Sequence, residues 1–244
     1  VVVINSVAQY FPDERYLRAV LDAALQSLAP GGAIFVGDVR SLPLLRAFHT
    51  EVALHDTAPD STAAELKAKI ARSVEDDAEL VIAPALFTDD LMDRDDVAAV
   101  SIVAKDSGDD NEMVRFRYDV IVTKASDEGM EPVAVDWQHW DDEWSLERLA
   151  ETLAGDGDLF AIAGIPNARV EREVRLLARL EDEGAESART LLEKLDGEPT
   201  IGVSPHGLVE TVRRAGWEPT LDWSAHGADG RIARTACSPS SLDR

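Results

Sequence analysis

The chain has 244 residues, 45% of them hydrophobic, enough for one large domain or two modest ones, each with a buried core. Acidic residues outnumber basic ones 47 to 24, and a surface with a formal net charge of -23 repels phosphate backbones and anionic lipid, which argues against nucleic acid and membranes as partners. No apolar run approaches the ~20 residues that cross a bilayer. The single cysteine, Cys237, excludes an internal disulfide framework and a Cys-rich metal site, so the expectation is a cytoplasmic protein without a metal centre.

The opening stretch, VVVINSVAQYF, reads as a buried strand running into a polar turn. Asp13 is placed to cap a helix in which Leu17, Val20, Leu21, Ala24, Leu25 and Leu28 form one apolar stripe. LAPGG stops that helix, and AIFVGDV follows as a second strand without alternation. Strand, amphipathic helix and strand make a βαβ unit of a parallel sheet. Both strands turn polar at their carboxyl ends, at Asn5-Ser6 and Gly37-Asp38. In open α/β sheets that edge holds ligands, although capping of strand ends explains the same residues.

PLLRAFH reads as a short helix, and Ala64, Leu66, Ile70, Ala71 and Val74 as a helix lying over the sheet. VAAVSIVAK and MVRFRYDVIVTK then form an antiparallel hairpin, with Val114, Phe116, Tyr118 and Val120 alternating against Arg115, Arg117 and Asp119. Acidic clusters such as EDDAE, DRDD and SGDDNE read as solvated surface; DSGDD lacks the spaced carboxylates of a calcium loop. Gly129 and Pro132 interrupt the pattern, which places a boundary between residues 1–127 and 128–244.

Beyond it, Trp137, Trp140 and Trp144 fall at helix-like spacing and read as a core or interface stripe. AGDGD, 154–158, follows a helix and reads as a turn rather than a cofactor loop. DLFAIAGIPNARV is a strand with a Pro-Asn turn, followed by a helix from Arg169; SPHGLVETVRRAGWEPTLDWSA is a helix, a stop at Gly216 and a strand. IARTACSPSSLDR is polar and irregular, and a final strand is not expected there.

Taken together, NSVAQYFPDERYLRAVLDAALQSLAPGGAIFVGDVRSLPLLRAFH, DAELVIAPALF, NEMVRFRYDVIV and GIPNARV closely resemble the N-methyltransferase domains embedded in nonribosomal peptide synthetases. The resemblance implies a Rossmann-like α/β fold: the C-terminal half of a class I methyltransferase sheet, beginning at its fourth strand, plus a small α/β accessory subdomain. It also implies S-adenosylmethionine as methyl donor and an aminoacyl thioester as acceptor, with the aminoacyl carrier protein and adenylation domain of the same synthetase as partners. The glycine-rich donor turn of the family is expected outside this sequence, leaving the chain inactive alone. A non-catalytic relic or docking module, and an O-methylating relative, are the alternatives.

On this reading Asn5, Ser6, Val7 and Gln9 contact the cofactor, and Asn5, Tyr10 and His49 carry the chemistry. Asn5 offers an amide oxygen to the acceptor amine, and His49 can take up a proton. Asp38, Arg40, Asn167 and Arg169 are the candidate substrate-binding residues, with a local salt bridge as the competing role of Asp38 and Arg40 and turn geometry as that of Asn167 and Arg169. Tyr10 reads equally well as half-buried packing, and His49 as an ordinary core or surface histidine. His139, His206 and His226 lie in segments that the pattern does not bring to this edge, and they lack metal-ligand spacing.

Overall fold

The computed structural model describes residues 1–55, 57–58, 61–126, 135–155, 157–182, 187–223 and 227–237. The chain opens in β1 (Val2–Asn5) and passes through a 3-10 turn at Ala8–Tyr10 into α1 (Glu14–Ser27). Asp13 caps α1 by accepting the Tyr16 amide hydrogen at 2.8 Å, satisfying a donor that every helix start leaves free. Gly31, at φ +72°, turns the chain into β2 (Ala33–Arg40), a conformation in which a Cβ would be strained. β2 lies parallel to β1, with Asn5 opposite Gly37. This unit gives the protein its Rossmann-like α/β character.

α2 (Leu45–His55), α3 (Ala63–Glu75) and α4 (Pro84–Leu91) lead to β3 (Val97–Ala104), which returns through α5 (Glu112–Arg115) as β4 (Arg117–Lys124). β3 and β4 pair antiparallel as expected. The second strand starts at Arg117 rather than Met113, because Asn111 accepts the Val114 amide hydrogen and caps a helical turn. There follow β5 (Trp137–His139), α6 (Leu146–Leu153), β6 (Leu159–Ile165), α7 (Glu171–Asp182), α8 (Ala188–Asp196), α9 (Pro205–Arg214), β7 (Glu218–Asp222) and β8 (Ile232–Cys237). Among the described residues one eight-stranded mixed sheet results, in the order β1-β2-β4-β3-β7-β8-β6-β5.

Strands from both sides of the 127/128 boundary therefore share this sheet, joined where Val103 of β3 faces Asp222 of β7. The Gly129–Pro132 stretch, His226 and the tail from 238 lie outside the described residues. Residues 232–237 form β8 despite their polar sequence, since pairing with both β6 and β7 satisfies their backbone. β1 is half exposed rather than buried: it is the end strand of the sheet, Ile4 faces the core, and Val3 is open to solvent. The tryptophans do not share a helix. Trp137 is on β5, while Trp140 and Trp144 stack beyond it with ring centroids 6.1 Å apart.

The main core joins both halves. Tyr118 of β4 packs edge-on against Phe87 of α4 and against Trp223, which follows β7. α3 does not lie over the sheet. Its buried Ala63, Leu66 and Ile70 join Ala53, Leu176, Leu180 and Leu191 in a second core among α2, α3, α7 and α8. A helical stripe declares that it will be covered, but any complementary apolar face can cover it. Among the described residues, no helix is long and apolar enough to cross a membrane.

Candidate functional site

The carboxyl ends of β1 and β2 meet at Asn5-Ser6 and Gly37-Asp38. The pleat brings Asn5 against Gly37 so closely that a Cβ on residue 37 would stand 2.0 Å from Asn5 Oδ1. Ser6 (φ +56°) and Asp38 (φ +60°) are the two non-glycine residues with positive φ among the described residues. Each such conformation costs of order 1–2 kcal/mol, so the surrounding bonds must hold it.

Those bonds are polar and converge. Ser6 Oγ donates to Asp38 Oδ2, Asn5 Nδ2 donates to Ser6 Oγ at 3.2 Å, and the Ser6 amide donates to the Gly37 carbonyl. Lys105, one residue beyond β3, donates from Nζ to Asp38 Oδ1 and to Asp119 Oδ1, both at 2.6 Å. Asp119 Oδ1 also accepts the Asp38 amide hydrogen at 3.0 Å, where the β2–β4 register breaks between Val36 and Val39. Burial pushes the Asp38 carboxyl up, but the bonds from Lys105 and Ser6 outweigh it and leave its pKa below the usual carboxylate range. Burial pulls the Lys105 ammonium down, and its bonds to Asp119 and Asp38 bring it above the ordinary lysine value.

Gln9 is buried in the 3-10 turn just beyond Ser6. Its Nε2 donates to the Ser6 carbonyl at 3.1 Å, and its Oε1 has no partner among the described residues. Val7 and Tyr10 flank it and are exposed, Tyr10 by 71%. The turn therefore presents apolar surface, while the unpartnered Gln9 oxygen is buried.

Arg40 lies in a different cluster from Asp38. Its guanidinium binds Asp77 through two bonds of 2.9 and 2.7 Å, approaches Glu79 at 3.2 Å and lies over the Phe48 ring. His49 Nε2 meets the same Asp77 carboxylate at 2.8 Å, and its Nδ1 is buried without a partner among the described residues. Arg40, above all, and then His49 and the Glu79 amide hold Asp77 well below the usual carboxylate range, against the upward push of burial. Asp77 and Glu79 belong to EDDAE, so a cluster expected to be solvated supplies counterions to the interior.

Asn167 and Arg169 reach the first site indirectly. Asn167 Oδ1 accepts the Arg169 amide hydrogen, while the Arg169 guanidinium donates to the carbonyls of Lys105 and Ser107. His206 also meets this loop, with Nδ1 3.3 Å from Asp106, whereas His139 is exposed on β5. The fold thus collects Asn5, Ser6, Gln9 and Asp38, braces them through Arg169 and Asn167, and gathers Arg40 and His49 on Asp77. Lys105 and Asp119 were missed from sequence. Asp119 gave one signal, its place on the polar face of a strand; Lys105 gave none beyond closing an apolar run.

A scan against protein-family models finds no match. Among curated proteins, the chain is 31% identical over 235 residues to the chondramide synthase of Chondromyces crocatus, covering 94% of this chain and 6% of that protein. It is 32% identical over 231 residues to a probable non-canonical nonribosomal peptide synthetase of Salinispora arenicola, covering 92% of this chain and 3% of the other. It is 30% identical over 251 residues to the bassianolide nonribosomal cyclodepsipeptide synthetase of Beauveria bassiana, covering 93% and 8%. The chain thus spans less than a tenth of each of these relatives, and it is homologous to segments of nonribosomal peptide synthetases.

Proposed function

We propose that this chain forms part of an N-methyltransferase domain of a nonribosomal peptide synthetase, methylating the α-amine of an amino acid held as a thioester on a carrier protein. The observation that carries the reading is the pair of strained, polar strand ends, Asn5-Ser6 beside Gly37-Asp38, at the edge where open α/β sheets bind ligands. The order β1-β2-β4-β3, with antiparallel β4 beside β2, supports the second half of a class I methyltransferase sheet.

S-adenosylmethionine, the donor in this reading, supplies an electrophilic methyl group. The residues present fit it as one wall of a cleft: Asn5 is exposed, and Val7 and Tyr10 offer apolar surface. Ser6 shapes this wall through its bond to Asp38. Transfer to nitrogen needs a neutral lone pair held in line more than it needs a strong base, since an α-amine titrates near pH ~8. We assign that orientation to Asn5, whose amide oxygen can accept an amine hydrogen, with Tyr10 bordering the acceptor. Asp38 fixes the turn that faces the substrate. Arg40 and His49 hold the Asp77 loop beside it, and Asn167 and Arg169 brace the loop of Lys105.

The test is to incubate the synthetase module that contains this segment with an aminoacyl carrier protein and isotopically labelled S-adenosylmethionine. Labelled mass on the α-nitrogen is expected. Label on oxygen identifies an O-methylating relative, and no label on a loaded carrier identifies a docking role. Calorimetric titration of the donor into this chain alone should show no micromolar binding, because one wall does not enclose it.

A further inference from the structure

We propose that Lys105 is a positioning residue for methyl transfer, holding the Asn5-Ser6 and Gly37-Asp38 turns in mutual register through Asp38 and Asp119. The assignment of a catalytic consequence rests on the reading above; the coupling itself rests on geometry alone.

Three strands meet at this one ammonium group, and a fourth is tied to it through Asp38. Lys105 follows β3, Asp119 is on β4, Asp38 is on β2, and Ser6, at the end of β1, is tied to Asp38 by its hydroxyl. The two non-glycine residues in left-handed backbone conformations among the described residues, Ser6 and Asp38, are bonded directly to each other, and Lys105 ties that pair to Asp119. Asp119 anchors the Asp38 amide as well as the ammonium, so both the backbone and the side chain of Asp38 are fixed from β4. Two carboxylates share a single ammonium here, and without it they would repel each other across the break in the β2–β4 register. Lys105 is itself held from the second half of the molecule, because Arg169 binds its carbonyl and that of Ser107. None of these bonds uses the Asn5 side-chain oxygen, and Asn5 is exposed. Lys105 thus acts on the site through Asp38 and not by touching what binds there.

Two measurements decide the matter. In this chain, Lys105→Met should move the amide resonance of Ser6, a residue it does not contact, while Lys105→Arg leaves it near its original position. An unmoved Ser6 amide in a folded Lys105→Met protein overturns the coupling. In the methylating module, Lys105→Met and Asp38→Asn should each lower kcat about tenfold with little change in KM, and the double variant should be no slower than the slower single one. A double variant slower by about a hundredfold means independent roles and overturns the proposal. Recovery by Lys105→Arg to within about threefold of the original kcat is expected, since the ammonium acts by charge and reach. A wild-type module that methylates nothing sinks the functional reading, and the Ser6 resonance still judges the coupling.

Discussion

The Asp77 carboxylate shows what one side chain can be asked to do. It neutralises a nearly buried guanidinium, orients an imidazole and accepts the Glu79 amide hydrogen. Removing one partner of a buried ion pair leaves the other uncompensated, so Asp77→Asn should destabilise the protein by about 3 kcal/mol in urea unfolding. Because the folded state holds this carboxyl below its ordinary range, its stabilisation is present above the unfolded pKa of about 4. It is lost as pH falls through the folded value. The wild type should therefore lose more stability between about pH 6 and about pH 3 than Asp77→Asn does. Equal losses would assign the acid sensitivity to other carboxylates.

Elements meet where side chains are missing, and two glycines show the difference. A Cβ at Gly37 would strike the outer atoms of the Asn5 and Phe35 side chains, which can rotate away. Gly37→Ala should therefore cost only about 1 kcal/mol while displacing Asn5, visible as a shift of its side-chain amide resonances. At Gly202 the obstacle is backbone: a Cβ would stand 2.5 Å from Ala168 N and 2.6 Å from its Cα. This is where the strand-like bridge between Asn167 and Val203 locks the β6–α7 turn. Gly202→Ala should cost about 3 kcal/mol, and urea midpoints of the two variants would rank them. Caps and stops of helices were legible because they are local: Asp13, Gly31 and Gly216 act within a few residues of themselves. The tryptophan spacing announced a core stripe, and Trp140 and Trp144 do pack against the main core, but from the chain between β5 and α6 rather than from one helix.

At the scale of the molecule, charge sets the response to salt. The exposed ion pairs, such as Arg148 with Glu143 and Arg172 with Asp196, are each worth about 0–1 kcal/mol and weaken on screening. An excess of 23 negative charges opposes compaction and is screened by the same ions. The repulsion involves far more charges than the pairs do, so the melting temperature should rise between about 20 mM and 500 mM sodium chloride. A fall would show that the exposed pairs dominate.

The amino-acid order was sufficient for the α/β class, the parallel opening unit, the β3–β4 hairpin and the turn that carries Asn5 and Ser6. Periodicity, capping residues and glycine turns are short-range, and each is written within a dozen positions. It could not assign Asp77 to Arg40, Lys105 to Asp38, or α3 to its second core, since the partners stand 37 and 67 residues apart in the two ion pairs. Which distant strands become neighbours is decided by the burial of all apolar faces together. Only once the sheet adopts the order β1-β2-β4-β3 does one lysine come within reach of two carboxylates and the strained ends they hold.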